Sequence, residues 1–128
     1  FYNAGFLSYV HKGDLFDLAV SSMALHHLPD FWKLIALKNI KSLLKNNGKF
    51  YLYDVVFSFD FDFFEKSVED WINRAEDYRM KESMRKHISE EFSTTSEIME
   101  KLINDSGFII KSKEYKSGFF AKYLCIKK

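Results

Sequence analysis

Residues 16–30 read Phe16-Asp17-Leu18-Ala19-Val20-Ser21-Ser22-Met23-Ala24-Leu25-His26-His27-Leu28-Pro29-Asp30, and the class of the fold turns on this stretch. Phe16 to Val20 is a short apolar run broken only by Asp17 and has no helical period. A run of that length predicts a strand buried on both faces of a parallel sheet. Small residues follow. Ser21 and Ser22 let a ligand approach the backbone, and in open α/β sheets ligands sit beyond the carboxyl ends of the strands. Pro29 and Asp30 restart the chain, because proline disfavours helical backbone in the residue before it and aspartate is a good N-cap.

Downstream, Trp32, Ile35, Leu37, Ile40, Leu43 and Leu44 recur at helical spacing and predict a helix over residues 31–44. Asn46-Asn47-Gly48 tolerates left-handed dihedrals and ends it. Lys49 to Phe57 is rich in aromatic and β-branched residues and reads as a second buried strand with Asp54 near its end. Between Asp60 and Tyr78, the set Phe64, Val68, Trp71, Ile72, Ala75 and Tyr78 steps by threes and fours, one face of an amphipathic helix. Arg79 to Glu91 is highly charged and reads as a loosely packed helix or a mobile connection. Thr94 and Glu97 fit a capping box, Ile98, Leu102 and Ile103 supply a buried stripe, and Gly107 supplies the stop. Phe108 to Tyr115 and Phe119 to Lys127 then flank Lys116-Ser117-Gly118, a spacing short enough for a hairpin. Upstream, Phe1 to Tyr9 suits a strand end and loop, and His11 to Asp14 a turn. The order predicts an α/β fold with mostly parallel strands and an antiparallel C-terminal hairpin.

Composition narrows the classes. The chain has 128 residues, 47% of them hydrophobic, enough for one core and hence one domain or a large piece of one. Nineteen basic residues against eighteen acidic give a net charge of +1, which sets up no global field for nucleic acid or anionic lipid. One cysteine excludes an intrachain disulfide, and the absence of a leader or spanning pattern favours a soluble, cytoplasmic protein. The chain opens at Phe1 on an apolar stretch, which is the expectation for a fragment.

Three segments together resemble class I S-adenosylmethionine-dependent methyltransferases: Phe16-Asp17-Leu18-Ala19-Val20, then Leu25-His26-His27-Leu28-Pro29-Asp30, then Leu43-Leu44-Lys45-Asn46-Asn47-Gly48-Lys49-Phe50-Tyr51-Leu52-Tyr53-Asp54. In that family the fourth strand runs into a Leu-His-His-Leu-like corner and the fifth follows a Leu-Lys-Pro-Gly-Gly turn. Asn46-Asn47-Gly48 departs from that turn while keeping its chemistry. The resemblance implies a partial Rossmann-like sheet and S-adenosylmethionine as cofactor. It covers nearly all the chain, as the C-terminal portion of a single methyltransferase domain spanning 1–128. The five glycines, Gly5, Gly13, Gly48, Gly107 and Gly118, are too dispersed for the family's glycine-rich loop, so that cofactor-binding half is expected outside this chain. The sheet edge where its first strand would pair is then expected to be open. By resemblance, Phe6 and Leu7 fall at the adenine loop, with Phe6 where an acidic residue is usual. Ser22 and Met23 fall beside the methionine portion, and His27 follows on the same corner.

The candidate chemistry is modest. His26-His27 admits a metal site, a catalytic base or corner packing, but adjacent histidines diverge and a zinc site needs further ligands, so no metal is expected. Asp54, at the end of the fifth family strand, either orients or deprotonates a methyl acceptor or caps the next loop. Phe57, Phe59, Phe61, Phe63 and Phe64 read as core or subunit contact before acceptor pocket. Cys125 reads as an inert buried thiol. Lys111, Lys113, Lys116, Lys122, Lys127 and Lys128 read as the solvated face of the hairpin. The expectation is methyl transfer to a small-molecule acceptor, with Asp54 and His27 as the catalytic candidates, no nucleic acid, no membrane, and a homo-oligomer left open. A non-catalytic module binding a partner through its sheet edge is the alternative. A dinucleotide oxidoreductase fragment fits the corner and hairpin less well.

Overall fold

The computed structural model describes residues 2–128; Phe1, which opens the first expected segment, lies outside them. Residues 2–15 carry a turn and no regular element. The elements are β1 (Phe16–Ser22), α1 (Asp30–Ser42), β2 (Leu44–Phe57), α2 (Phe64–Asn73), α3 (Tyr78–Glu90), β3 (Thr94–Thr95), α4 (Ser96–Asp105), β4 (Phe108–Lys116) and β5 (Phe120–Lys127). Short 3-10 turns cover Leu25–His27 and Phe61–Phe63.

The sheet order is β1-β2-β5-β4, with β3 paired to the end of β2. β1 and β3 run parallel to β2, whereas β5 is antiparallel to both β2 and β4. The α/β class holds, but the expectation of mostly parallel strands does not. The hairpin contributes two long antiparallel ladders, because β5 inserts beside β2 and makes β4 the far edge. Its three-residue connection, 117–119, has Ser117 at φ 59 and Gly118 at φ 75, both left-handed, and Phe119 N donates to the Lys116 carbonyl at 3.2 Å.

One face of the sheet is the core. Phe50, Leu52 and Val56 of β2, with Ala121, Tyr123 and Cys125 of β5, pack with Leu37 of α1 and Ile103 of α4. The other face is only partly covered. On β1, Ser21 of the core face is buried, while Leu18 and Val20 of the opposite face are 53% and 62% exposed. The strand expected to be buried on both faces is therefore buried on one, because among the described residues no element packs against the second.

Local boundaries shift for local reasons. Pro29 occupies the N-cap position of α1, and Asp30 is its first residue. Leu44 already pairs with Phe16, so Asn46-Asn47-Gly48 forms a bulge in β2 before Lys49 pairs with Leu18. Asn47 there takes φ 60, and a Cβ on Gly48 would come within 2.8 Å of the Lys45 carbonyl oxygen. The single helix expected over 60–78 is broken, because the Asp77 carboxylate accepts from Met80 N at 2.8 Å and caps a new helix, α3. The cap of α4 is Thr95, not Thr94; Thr94 is buried and its hydroxyl donates to Asp30 at 3.3 Å.

Candidate active site

Beyond the carboxyl ends of β1 and β2, Asp54 is fully buried near the end of β2. Its carboxylate accepts from Leu25 N at 2.7 Å and from Val55 N at 2.8 Å, and it meets Nδ1 of His26 in a short contact. Asp54 thereby ties the end of one strand to the corner that follows the other. His26 is 4% exposed, and its Nε2 lies 3.2 Å from Glu91 Oε2. His87, on the last turn of α3, meets the same Glu91 oxygen through Nδ1 and pairs with Ser93 Oγ through Nε2 at 2.7 Å. Burial lowers the His87 imidazole below its ordinary value, and neighbouring His26 adds to this while Glu91 opposes it.

The segment carrying Glu91 is anchored by a second buried group. Lys33 of α1 is fully buried; its ammonium donates to Asp30 at 2.7 Å and to the Phe92 carbonyl. Phe92 N in turn donates to the His26 carbonyl at 2.9 Å. Neither Lys33 nor Glu91 stood out in the sequence, because a lysine on an amphipathic helix and a glutamate at a helix end are ordinarily solvated. A lysine at a buried helical position was the only available signal.

The structure sorts the expected residues. Asp54 and the histidine pair are brought together, with His26 inside and His27 on the rim, its side chain 59% exposed and its Nδ1 3.9 Å from Glu91. Ser22 ends β1 and Met23 follows it, both exposed; Met23 takes φ 51, and its N–H donates to the Tyr53 carbonyl at 2.8 Å. Phe6 and Leu7 lie apart from them, in a cleft of about 770 Å³ that also involves Ala19, Val20, Ile40 and Phe50. Phe6 packs on the core and its carbonyl accepts from Asn39 at 3.1 Å. Of the aromatic run, Phe57 and Phe59 pack against Phe119, which stacks on Trp71 at 4.4 Å, while Phe61, Phe63 and Phe64 are exposed. Cys125 is buried and its thiol is pushed up to about 12. Lys113 and Lys122 of the hairpin pair with Glu100 and Glu114.

Ser22 and Met23, the positions that the resemblance expects beside S-adenosylmethionine, have the openness such a group needs. The chain at Ser22 and Met23 is open at a strand end, and Ser21 Oγ, buried beside them, has no hydrogen-bond partner. Among the described residues no glycine-rich loop faces that end, since Gly5, Gly13, Gly48, Gly107 and Gly118 stay dispersed.

The arrangement of sheet, corner and terminal hairpin is that of the C-terminal portion of class I methyltransferases. It superposes on an O-methyltransferase family 2 protein from Planctomyces limnophilus in complex with apigenin (TM-score 0.65, 13% identity, 98% of this chain and 33% of that one). Human N-acetylserotonin methyltransferase in complex with S-adenosylmethionine is similar as well (TM-score 0.61, 18% identity, 98% of this chain and 33% of that one). No protein-family model matches the chain. In sequence it is 32% identical over 92 residues, 72% of its length, to an uncharacterized methyltransferase of Bacillus mycoides, and it spans 41% of that curated relative's length. The chain is thus similar in sequence to methyltransferases and shares the fold of about a third of a solved one.

Proposed function

We propose that the complete protein transfers a methyl group from S-adenosylmethionine to a small-molecule acceptor. In this reading residues 1–128 form the C-terminal portion of one methyltransferase domain, and the glycine-rich half lies outside them. One observation carries it: a buried His26, held by Asp54, stands at the carboxyl ends of two parallel strands in a methyltransferase fold. The apigenin and the S-adenosylmethionine bound by the two structural neighbours support a small-molecule acceptor and this cofactor.

The cofactor, when bound, supplies an already activated methyl group, so the protein's task is placement and proton removal. Ser22 and Met23 form the wall beside its methionine portion, and Phe6 and Leu7 the apolar surface nearer its adenine. Asp54 acts through His26: by taking Nδ1 it turns Nε2 toward the acceptor, where the imidazole receives the acceptor's proton. Glu91 covers that nitrogen from the rim and gives way to the acceptor. His27, exposed on the same rim, is the second group placed to touch it.

Calorimetric titration of S-adenosylmethionine into this chain and into the complete protein tests the reading. Binding by the complete protein alone places the cofactor cradle outside residues 1–128; binding by neither overturns the proposal. In the complete protein, His26→Gln is expected to lower kcat by about 100- to 10,000-fold with little change in cofactor affinity.

A further inference from the structure

His26, His87 and Glu91 come from two distant segments and turn one ligand atom each toward a common point. One ring nitrogen of each histidine and a Glu91 carboxylate oxygen all lie within 4.8 Å of one another, and His26 Nε2, at 3.2 Å, and His87 Nδ1 both face Glu91 Oε2. We propose that these three side chains form a binding site for a divalent transition metal ion of the zinc class.

The surrounding contacts are those a metal site requires. A ligating imidazole is held in one tautomer and orientation when its other nitrogen is engaged by a carboxylate or hydroxyl. Here Asp54 engages Nδ1 of His26, and Ser93 Oγ engages Nε2 of His87 at 2.7 Å, which leaves His26 Nε2 and His87 Nδ1 turned inward. Glu91 Oε2 is sealed from solvent, and although both imidazoles approach it, neither makes an aligned hydrogen bond to it. A neutral imidazole carries a single N–H. A neutral His26 that donates Nδ1–H to Asp54 turns a lone pair toward Glu91, and a cation between Nε2 and Oε2 then satisfies both contacts. Lys33, the nearby buried ammonium, does not serve, since it is engaged by Asp30 and by the Phe92 carbonyl.

The donor set selects the ion. Two imidazole nitrogens and one carboxylate suit zinc or a similar transition metal, whereas magnesium and calcium take oxygen ligands. With bonds of about 2.0–2.2 Å in a tetrahedron, ligand atoms sit roughly 3.3–3.5 Å apart, and the 3.2 Å from His26 Nε2 to Glu91 Oε2 is close to that. His87 and Glu91 are one turn apart at the end of α3, so a small rotation of either side chain opens the remaining separation. Three protein ligands leave the fourth position to water. His27 and His11 lie outside the ligand set. One consequence rests on the methyltransferase reading: a metal on His26 Nε2 withdraws that nitrogen from proton acceptance.

The test uses this chain after treatment with a chelator. Zinc is titrated by calorimetry, and cobalt(II) is added in parallel to follow the visible absorption of a four-coordinate site. One equivalent of zinc is expected to bind. His87→Ala and Glu91→Gln should each weaken binding at least about tenfold, Asp54→Asn about 10- to 100-fold, and His11→Ala not at all. Circular dichroism of each variant verifies that the fold survives. Absence of zinc binding by the unaltered chain overturns the proposal, as does binding that His87→Ala and Glu91→Gln leave unchanged. Either result is independent of whether the complete protein binds S-adenosylmethionine, so the two readings fail separately.

Discussion

Asp54 illustrates how one side chain can support both the fold and the site. Its carboxylate satisfies two backbone donors, Leu25 N and Val55 N, inside a fully buried pocket. Removing it leaves those donors unpaired at about 1–3 kcal/mol each. Asp54→Ala is therefore expected to lower unfolding stability by about 2–6 kcal/mol in urea denaturation. Asp54→Asn keeps an acceptor oxygen and should cost less stability while disturbing His26. A residue-scale prediction of a different kind concerns Cys125, whose thiol burial raises from 9.0 to about 12. The folded chain thus holds its proton where the unfolded chain ionises. Stability associated with this group is complete below pH 9, is lost as the pH rises from there toward 12, and should appear as a falling denaturation midpoint in that window. At about pH 8 the native thiol should react with a disulfide reagent at least about 1,000-fold more slowly than the unfolded one.

At the scale of elements, the site depends on how the end of α3 is fastened to α1. Lys33 reaches the Phe92 carbonyl, and Phe92 N reaches the His26 carbonyl, so a buried ammonium positions the strand-end corner and Glu91 together. Lys33→Met fills similar volume without the charge. It leaves the carbonyl without its donor at about 1–3 kcal/mol. Asp30 is half-exposed and can be hydrated instead. Faster hydrogen exchange at Phe92 N–H in this variant is the expected reading, with the Phe50 amide in the sheet unaffected; equal protection of Phe92 in both proteins would show that Lys33 does not hold the segment. Periodicity located most elements but not every buried face: α1 buries Leu37 and Ile40 and leaves Trp32 exposed, and α4 buries Ile103 with Met99 and leaves Ile98 exposed. It ran one helix through 60–78 because an apolar stripe continues across Ala75 and Tyr78, and the competing signal was a single capping aspartate, Asp77.

For the whole molecule, the feature with consequences is the free edge and open face of β1. Leu18 and Val20 stand exposed on a strand that among the described residues has no partner on its outer edge, a combination that promotes association of sheets edge to edge. Val20→Lys places a charge on that face. It should shift sedimentation of this chain toward monomer at rising concentration while changing stability by no more than about 0.5 kcal/mol. Identical association in both forms would mean the edge is not the contact. Among the described residues no helix is long and apolar enough to cross a membrane. The hairpin lysines are interleaved with acids, as at Lys113 with Glu100 and Lys122 with Glu114, so they form no single-sign surface.

The sequence by itself determined the α/β class, the order of the elements, the hairpin and the corner at Ser21 to Asp30, because period, turn chemistry and capping are set by residues near one another in the chain. It also marked Asp54 and the histidine pair. Only the tertiary structure decided which histidine faces inward, since neighbouring residues on a turn point apart and burial depends on what packs against them. Only it paired β5 with β2, making the sheet largely antiparallel, because strand order is a matter of long-range contact that no local pattern encodes. And only it brought His87 and Glu91, some sixty residues downstream, onto His26, where the geometry of two separated segments creates a chemistry that neither displays alone.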